Sequence, residues 1–486
     1  MKTKNILMLP ILFFLLSCSG GINNCYYEDS YYGNYYQDNV ANNDEYLNIK
    51  ENDYISPIEQ PTSSFSLDSS GAAYSNIRKY LNNNKLPEFN QVIMEQMINY
   101  FDYDYQVKEN EDVSLFSEVA NCPWNSEAKL ASIAVKTKKV EYSSSKGNNY
   151  VLLIDVSGSM YLDDKLPLLK KGFSLLVDKL SDKDKVSIVT YSGAEKVVLS
   201  GVNGSEKSKI KKAISTLEAS DSTNGQRGIQ TAYKLAKDYF IEGGINQILL
   251  ATDGDFNVGI SSPTKLKEMV KEELQSGISL SCFGFGYGNY KDNMMQELAL
   301  NGNGNVFYID GELEMTRIFN GDISSILQVV AKDAKIQVEF NQEKVNKYRL
   351  IGYENRLMSN EEFKDENKDA GEIYSNKTTI ALYEIISEEN DDLFSINFKY
   401  KDIENNETQE IKMDNNEYTL APSKNHVFAS LVAEFGLLLR NSQYKGTSSY
   451  THIKNIYNEY ADFKNDMLKN DFYSLVCKAQ ELSQKE

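Results

Sequence analysis

The sequence predicts an α/β protein built around a central doubly wound, mostly parallel sheet of Rossmann-like type. A small mixed region precedes it, and a β-rich and then helical region follows it. Three observations predict this. Between about residues 149 and 331, short apolar runs alternate with amphipathic stretches of helical spacing, as in a parallel sheet with helices on both faces. After Ala331, segments alternate apolar and polar residues, as half-buried antiparallel strands do. The chain then closes in stretches of helical period, and its 486 residues leave room for several domains at roughly 100–200 residues each.

Residues 1–17 read as a targeting segment. Lys2 and Lys4 precede an apolar run from Ile6 to Leu16, broken only by Pro10 and too short for the roughly 20 residues of a membrane span. Leu15-Leu16-Ser17-Cys18 resembles a bacterial lipoprotein signal, which implies lipidation of Cys18 and anchoring by acyl burial worth ~0.8 kcal/mol per CH2. Residues 18–61 are rich in Tyr, Asn, Asp and Gly, without helical or strand period, and read as the anchor followed by a flexible spacer.

Residues 62–148 read as a small mixed domain. It has helices at Ala72–Leu81 and Val92–Phe101, strands at Leu115–Val119 and Ala131–Lys136, and Trp124 as a packing anchor in the turn between the strands. In the α/β domain, 149–331, strands are expected at Tyr150–Asp155, Lys185–Tyr191, Gln247–Ala251, Ser279–Phe285 and Asn305–Ile309, with a short edge strand at Lys196–Leu199. Helices are expected at Leu166–Leu180, around Ile210–Leu217 and Ile229–Phe240, and at Thr264–Gln275, Asp292–Leu300 and Leu313–Ala331. In 332–486, strands at Lys335–Phe340, Tyr348–Tyr353, Thr378–Ile386 and Leu393–Tyr400 lead to helices at Val427–Arg440, Tyr450–Tyr460 and Phe472–Leu482.

A formal charge of −19 argues against sequence-independent nucleic-acid binding, which needs clustered Lys and Arg. It suits a cation or a protein partner. Cys25, Cys122, Cys282 and Cys477 are spaced too widely for a zinc pattern. Cys282 lies in an apolar strand, and an oxidising compartment would permit a Cys122–Cys477 bridge that sequence does not establish.

The chemistry sits at strand ends. Val151-Leu152-Leu153-Ile154 is a buried strand running into Asp155-Val156-Ser157-Gly158-Ser159, and ligands of doubly wound sheets bind beyond such ends. Gly158 is expected to let the chain turn so that both hydroxyls face one point. Ser222-Thr223-Asn224-Gly225 offers a further hydroxyl, and Ile248-Leu249-Leu250-Ala251-Thr252-Asp253-Gly254-Asp255 is a second strand ending in a carboxylate. These are hard oxygen donors, suited to Mg2+ or Mn2+ (or Ca2+) rather than to soft metals.

Asp155-x-Ser157-x-Ser159, the Thr223 loop and Thr252-Asp253-Gly254 together resemble the metal-ion-dependent adhesion site of the von Willebrand factor A (VWA) superfamily. The resemblance extends to bacterial lipoproteins that carry this module between two flanking domains. It rests there on Phe65-Ser66-Leu67-Asp68, Met97-Ile98-Asn99-Tyr100-Phe101-Asp102-Tyr103, Cys122-Pro123-Trp124-Asn125, Arg349-Leu350-Ile351-Gly352-Tyr353-Glu354-Asn355-Arg356 and Ala433-Glu434-Phe435-Gly436-Leu437-Leu438-Leu439-Arg440. The resemblance implies that Ser157 and Ser159 ligate the metal. It implies that Thr223, for which Ser222 could substitute, joins directly or through water, and that Asp155 and Asp253 act mainly through bound water. One coordination position would remain for water or a partner's acidic side chain.

The expected function is a metal-dependent protein-binding module, not an enzyme, tethered to the bacterial envelope; Ser19 leans the placement to the outer membrane. The alternatives are a structural scaffold in which the metal is only a staple, and a metal-dependent hydrolase, for which no general base or second metal is evident. Gly284-Phe285-Gly286-Tyr287-Gly288 lacks dinucleotide-binding spacing. Asp365 to Gly371 reads as a solvated loop rather than a calcium site, Asp255 as an outer acid or a loop residue, and His426 and His452 as cap or surface residues distant from any serine.

Overall fold

The computed structural model describes residues 46–140, 146–192, 195–220, 228–254, 263–287, 291–320, 328–403, 406–414 and 418–485. In chain order, its first elements are β1 (Thr62–Ser66), α1 (Ala72–Asn82), α2 (Met94–Ile98), β2 (Val113–Asn121) and β3 (Ala128–Thr137). The α/β domain follows with β4 (Asn149–Asp155), α3 (Leu166–Lys179), β5 (Lys185–Tyr191), β6 (Lys196–Asn203), α4 (Lys207–Ser215) and α5 (Gly228–Asp238). It continues with β7 (Asn246–Thr252), α6 (Pro263–Leu274), β8 (Ser279–Phe285), α7 (Asp292–Asn301), β9 (Val306–Ile309) and α8 (Glu312–Phe319). The later strands are β10 (Val329–Phe340), β11 (Lys347–Ile351), β12 (Leu357–Met358), β13 (Gly371–Tyr374), β14 (Thr378–Ile386), β15 (Phe394–Asp402) and β16 (Thr408–Met413). Beyond them, helices span Lys424–Leu439, Tyr450–Glu459, Ala461–Lys464 and Met467–Ser483.

The central sheet has the order β6-β5-β4-β7-β8-β9, parallel except for the β5–β6 edge. β4 is apolar without alternation because both of its faces are covered: Leu152 and Ile154 pack with α3 and α8, while Val151 and Leu153 pack with α5. The doubly wound expectation holds.

The flanking regions are not two separate units. β11-β14-β3-β2 and β12-β1-β10-β15-β16 form two antiparallel sheets, and each mixes strands from before and after the α/β domain. Ala131, Ile133 and Val135 of β3 face the other sheet across a shared core, whereas Leu130 and Ala134 face the C-terminal helices. The strands of 62–148 have no closed sheet of their own; β3 completes its ladder on β14, and β1 on β10.

Three further expectations change. Part of the expected spacer is bound to the body: Ile55 bridges Tyr348, Asn52 donates to the carbonyls of Leu350 and Gly352, and Tyr54 donates to Glu384. The helix expected to Ala331 stops at Phe319, and Val329–Ala331 already belong to β10; residues 321–327 lie outside the described residues. The apolar Val329-Val330-Ala331 run fits either period, and the ladder to β13 and β15 decides it. Cys122 and Cys282 are free and buried, so Cys122 does not bridge Cys477; burial pushes both thiols far above their usual range. Trp124 is buried as expected, its indole N–H donating to Glu384, which also accepts from Arg349 Nε at 2.8 Å.

The helix Met467–Ser483 closes the body against α1, and Asp466 caps it by accepting from the N–H groups of Leu468 (2.9 Å) and Lys469 (3.1 Å). Asp466→Ala is expected to lower stability by about 1 kcal/mol, read as a fall in the urea midpoint at unchanged slope.

Candidate functional site

The parallel register sets Ile154 of β4 beside Ala251 of β7, so the next residues along each strand, Asp155 and Thr252-Asp253, leave the sheet together. Asp155 and Asp253 are both buried. Asp155 Oδ1 accepts from the Ser157 N–H at 2.8 Å, and its Oδ2 accepts from Thr252 Oγ1 at 3.2 Å. Thr252 Oγ1 in turn accepts from the Gly254 N–H at 3.1 Å, and Gly254 turns the chain away at φ +100°. This conformation favours glycine.

After Ser157 the chain makes a 3-10 turn over Gly158–Tyr161, pinned by the fully buried Met160. Ser157 Oγ and Ser159 Oγ lie 3.1 Å apart, partly or fully open to solvent. Gly158 is not among the glycines of positive φ, so the 3-10 turn, not a left-handed glycine, brings the hydroxyls together. Thr223, with Ser222 and Asp255, lies outside the described residues, as does Cys18. The chain leading toward Thr223 is tied to the site, since Ser220 donates its N–H to the Val156 carbonyl at 2.9 Å and bridges Ser157.

Burial, with the charge of Asp253 behind it, pushes the Asp155 carboxyl up to about 7 against the opposing bonds from Ser157 and Thr252. Two neighbouring buried carboxylates, one of them bonded to the Ser157 N–H, and the paired open hydroxyls of Ser157 and Ser159 offer oxygen donors to a cation. All of the donors are hard oxygens, so the residues present fit Mg2+, Mn2+ or Ca2+. Tyr161 and Leu162, which follow Ser159 closely in the chain, are exposed apolar residues at 68% and 40%.

Sequence reasoning missed Lys165. Its buried ammonium donates to Asp253 Oδ2 at 2.7 Å. The usable signal was a lysine immediately before the apolar, proline-containing first turn of α3. Both histidines stand in the first turn of a helix, their N–H groups donating to the cap serines Ser423 and Ser449, as expected of cap residues; only the burial of the His426 ring was not expected. His426 is buried with Nδ1 2.9 Å from Ser132 Oγ, and His452 Nδ1 sits 2.8 Å from Glu434. The Ser132–His426 pair is sealed between β3 and a helix, without an open face for a substrate.

Residues 149–320 match the family model described as von Willebrand factor type A domain, and residues 40–132 the one described as von Willebrand factor. Residues 325–392 and 386–482 match the model described as "Uncharacterized protein YfbK, C-terminal". Over 438 residues the chain is 36% identical to the YfbK protein of Escherichia coli (strain K12), covering 84% of this chain and 76% of that one. The chain belongs to the YfbK family. Its central domain is a VWA domain, similar to part of inter-alpha-trypsin inhibitor heavy chain H4 of Bos taurus, at 26% identity over 164 residues, 32% of this chain and 18% of that one. Among solved structures the chain resembles the von Willebrand factor type A protein from Catenulispora acidiphila, at TM-score 0.42 and 15% identity, covering 68% of this chain and 80% of that one. VWA domains in general serve protein–protein interaction rather than catalysis.

Proposed function

We propose that this YfbK-family chain is a divalent-cation-dependent protein-binding module, tethered to a bacterial envelope, leaning to the outer membrane, through acyl chains on Cys18. The observation that carries the metal reading is that Asp155, beside the charge of Asp253, is bonded to the backbone of Ser157, whose hydroxyl is paired with that of Ser159. On this reading Ser157 and Ser159 ligate the cation, Thr223 joins directly or through water, and Asp155 and Asp253 hold water around it. A bound divalent cation would supply a Lewis-acidic point of attachment. With few direct carboxylates it keeps much of its charge, which favours a partner presenting Asp or Glu. Tyr161 and Leu162 would receive apolar residues beside that acid.

Asp155→Ala is expected to abolish Mg2+ and Mn2+ binding in calorimetry and crosslinked capture of an envelope partner, and EDTA should do the same to the wild type. The variant should remain folded, because it removes a buried carboxylate whose charge burial disfavours. Capture that persists in EDTA would refute the proposal. The interleaving of residues from both flanks in two sheets favours a second reading, a scaffold in which the flanking body binds and the cation is a staple. On that reading Asp155→Ala lowers the melting temperature in Mg2+ and spares capture.

A further inference from the structure

Lys165 is placed as part of the site rather than beside it. Its side chain is 7% exposed and that of Asp253 is 0% exposed, so their contact is removed from water. Lys165 is fixed at both ends: its N–H donates to the Leu162 carbonyl at 3.0 Å, and its own carbonyl accepts from Leu169 at 2.9 Å as α3 begins. Its stem runs across Gly286, where φ is +81° and a β-carbon would lie 2.3 Å from Lys165 Cε. The Gly284-Phe285-Gly286 stretch, which fits no nucleotide motif, therefore leaves a corridor for this side chain.

We propose that Lys165 is a built-in counter-cation of the site, holding Asp253 away from direct ligation and setting the affinity for a divalent cation below what two buried carboxylates would give. The inference rests on the metal reading above. An ammonium on Asp253 offsets the negative charge of that carboxylate, and buried charges are weakly screened. A charge-assisted bond to Oδ2 also occupies the carboxylate oxygen that a cation would otherwise draw in. Lys165 thereby keeps the cation exchangeable, and keeps its charge available to an incoming acid.

The test is calorimetric titration of MnCl2 into the full chain, comparing wild type with Lys165→Met, Lys165→Gln and Lys165→Arg, alongside thermal melts in EDTA and in saturating Mn2+. Both neutral variants are expected to bind Mn2+ at least tenfold more tightly than wild type, and Lys165→Arg to stay within about threefold of it. Both neutral variants should melt lower than wild type in EDTA and regain the difference in Mn2+. Wild-type binding with equal or weaker binding by the folded neutral variants overturns the role of Lys165 and leaves the metal reading standing. No binding by wild type or any variant removes both.

Discussion

Arg78→Met is expected to destabilise the protein by about 3–5 kcal/mol, because it strips the one guanidinium that joins three carboxylates in a buried network. Arg78 lies on α1 with its side chain 3% exposed; Nε and one terminal nitrogen donate to the two oxygens of Asp310, each at 2.6 Å. The same guanidinium reaches Glu314 Oε2 at 2.9 Å and Asp471 Oδ2 at 3.2 Å. It also donates to Tyr100 at 2.9 Å, and the Tyr100 hydroxyl donates to Glu314 at 2.6 Å. Burial alone would raise the Glu314 carboxyl, but Arg317 and Arg78 reverse this and hold it at about 2.

Asp310 and Glu314 belong to the end of the VWA domain, Arg78 and Tyr100 to the segment before it, and Asp471 to the last helix. The network therefore fastens three parts of the chain, and its loss should separate unfolding of the α/β domain from that of the flanking body. Urea unfolding followed by intrinsic fluorescence and by far-UV dichroism should give coincident transitions for wild type and separated ones for Arg78→Met. Arg78→Lys should also lose stability, since a point ammonium cannot fork across Asp310. A loss below about 1 kcal/mol, the range of exposed ion pairs, would show that the network is not what holds the parts together.

The same contacts explain which parts of the fold were legible in the sequence. β4 and β7 are apolar runs closed by an acid, and helices cover both faces of each, so every residue of the run is apolar and the strand shows in its own sequence. Asp155, Ser157, Ser159 and Asp253 were legible for the same reason, each lying at or just beyond a recognisable strand end. The flanking body obeys the opposite rule. β3 finds β14 about 250 residues later, and Phe65 of β1 finds Ile336 of β10, pairings that no local period announces. β10 hides its own beginning, because a register shift near Asp333, at φ +51°, breaks the alternation that marks a strand. Lys165 and Arg78 were missed because a basic residue beside an apolar helical stretch is ordinarily read as lying on its solvated side. Only the tertiary approach of acids from distant segments shows that each is buried and paired.

His426 carries the second large expectation, a loss of stability in mild acid. It sits in the first turn of the helix Lys424–Leu439, buried against β3. Its Nδ1 lies 2.9 Å from Ser132 Oγ, and its Nε2 has no hydrogen-bond partner among the described residues. Burial pushes its pKa from 6.5 down to about 4, against the opposing charge of Glu118 on β2. The folded state therefore binds fewer protons than the unfolded chain between these values. The stability His426 contributes is complete above pH 6.5 and is lost as pH falls through about 4. The displacement corresponds to about 3 kcal/mol. His426→Leu imposes a constant cost by leaving Ser132 without its imidazole, but it removes the proton uptake. The stability advantage of wild type over the variant should therefore shrink by about 3 kcal/mol between pH 7 and pH 4, measured as urea unfolding free energies at each pH. An advantage that stays level across that range would mean the imidazole is charged in the folded protein, and that the Ser132–His426 pair is wet rather than sealed.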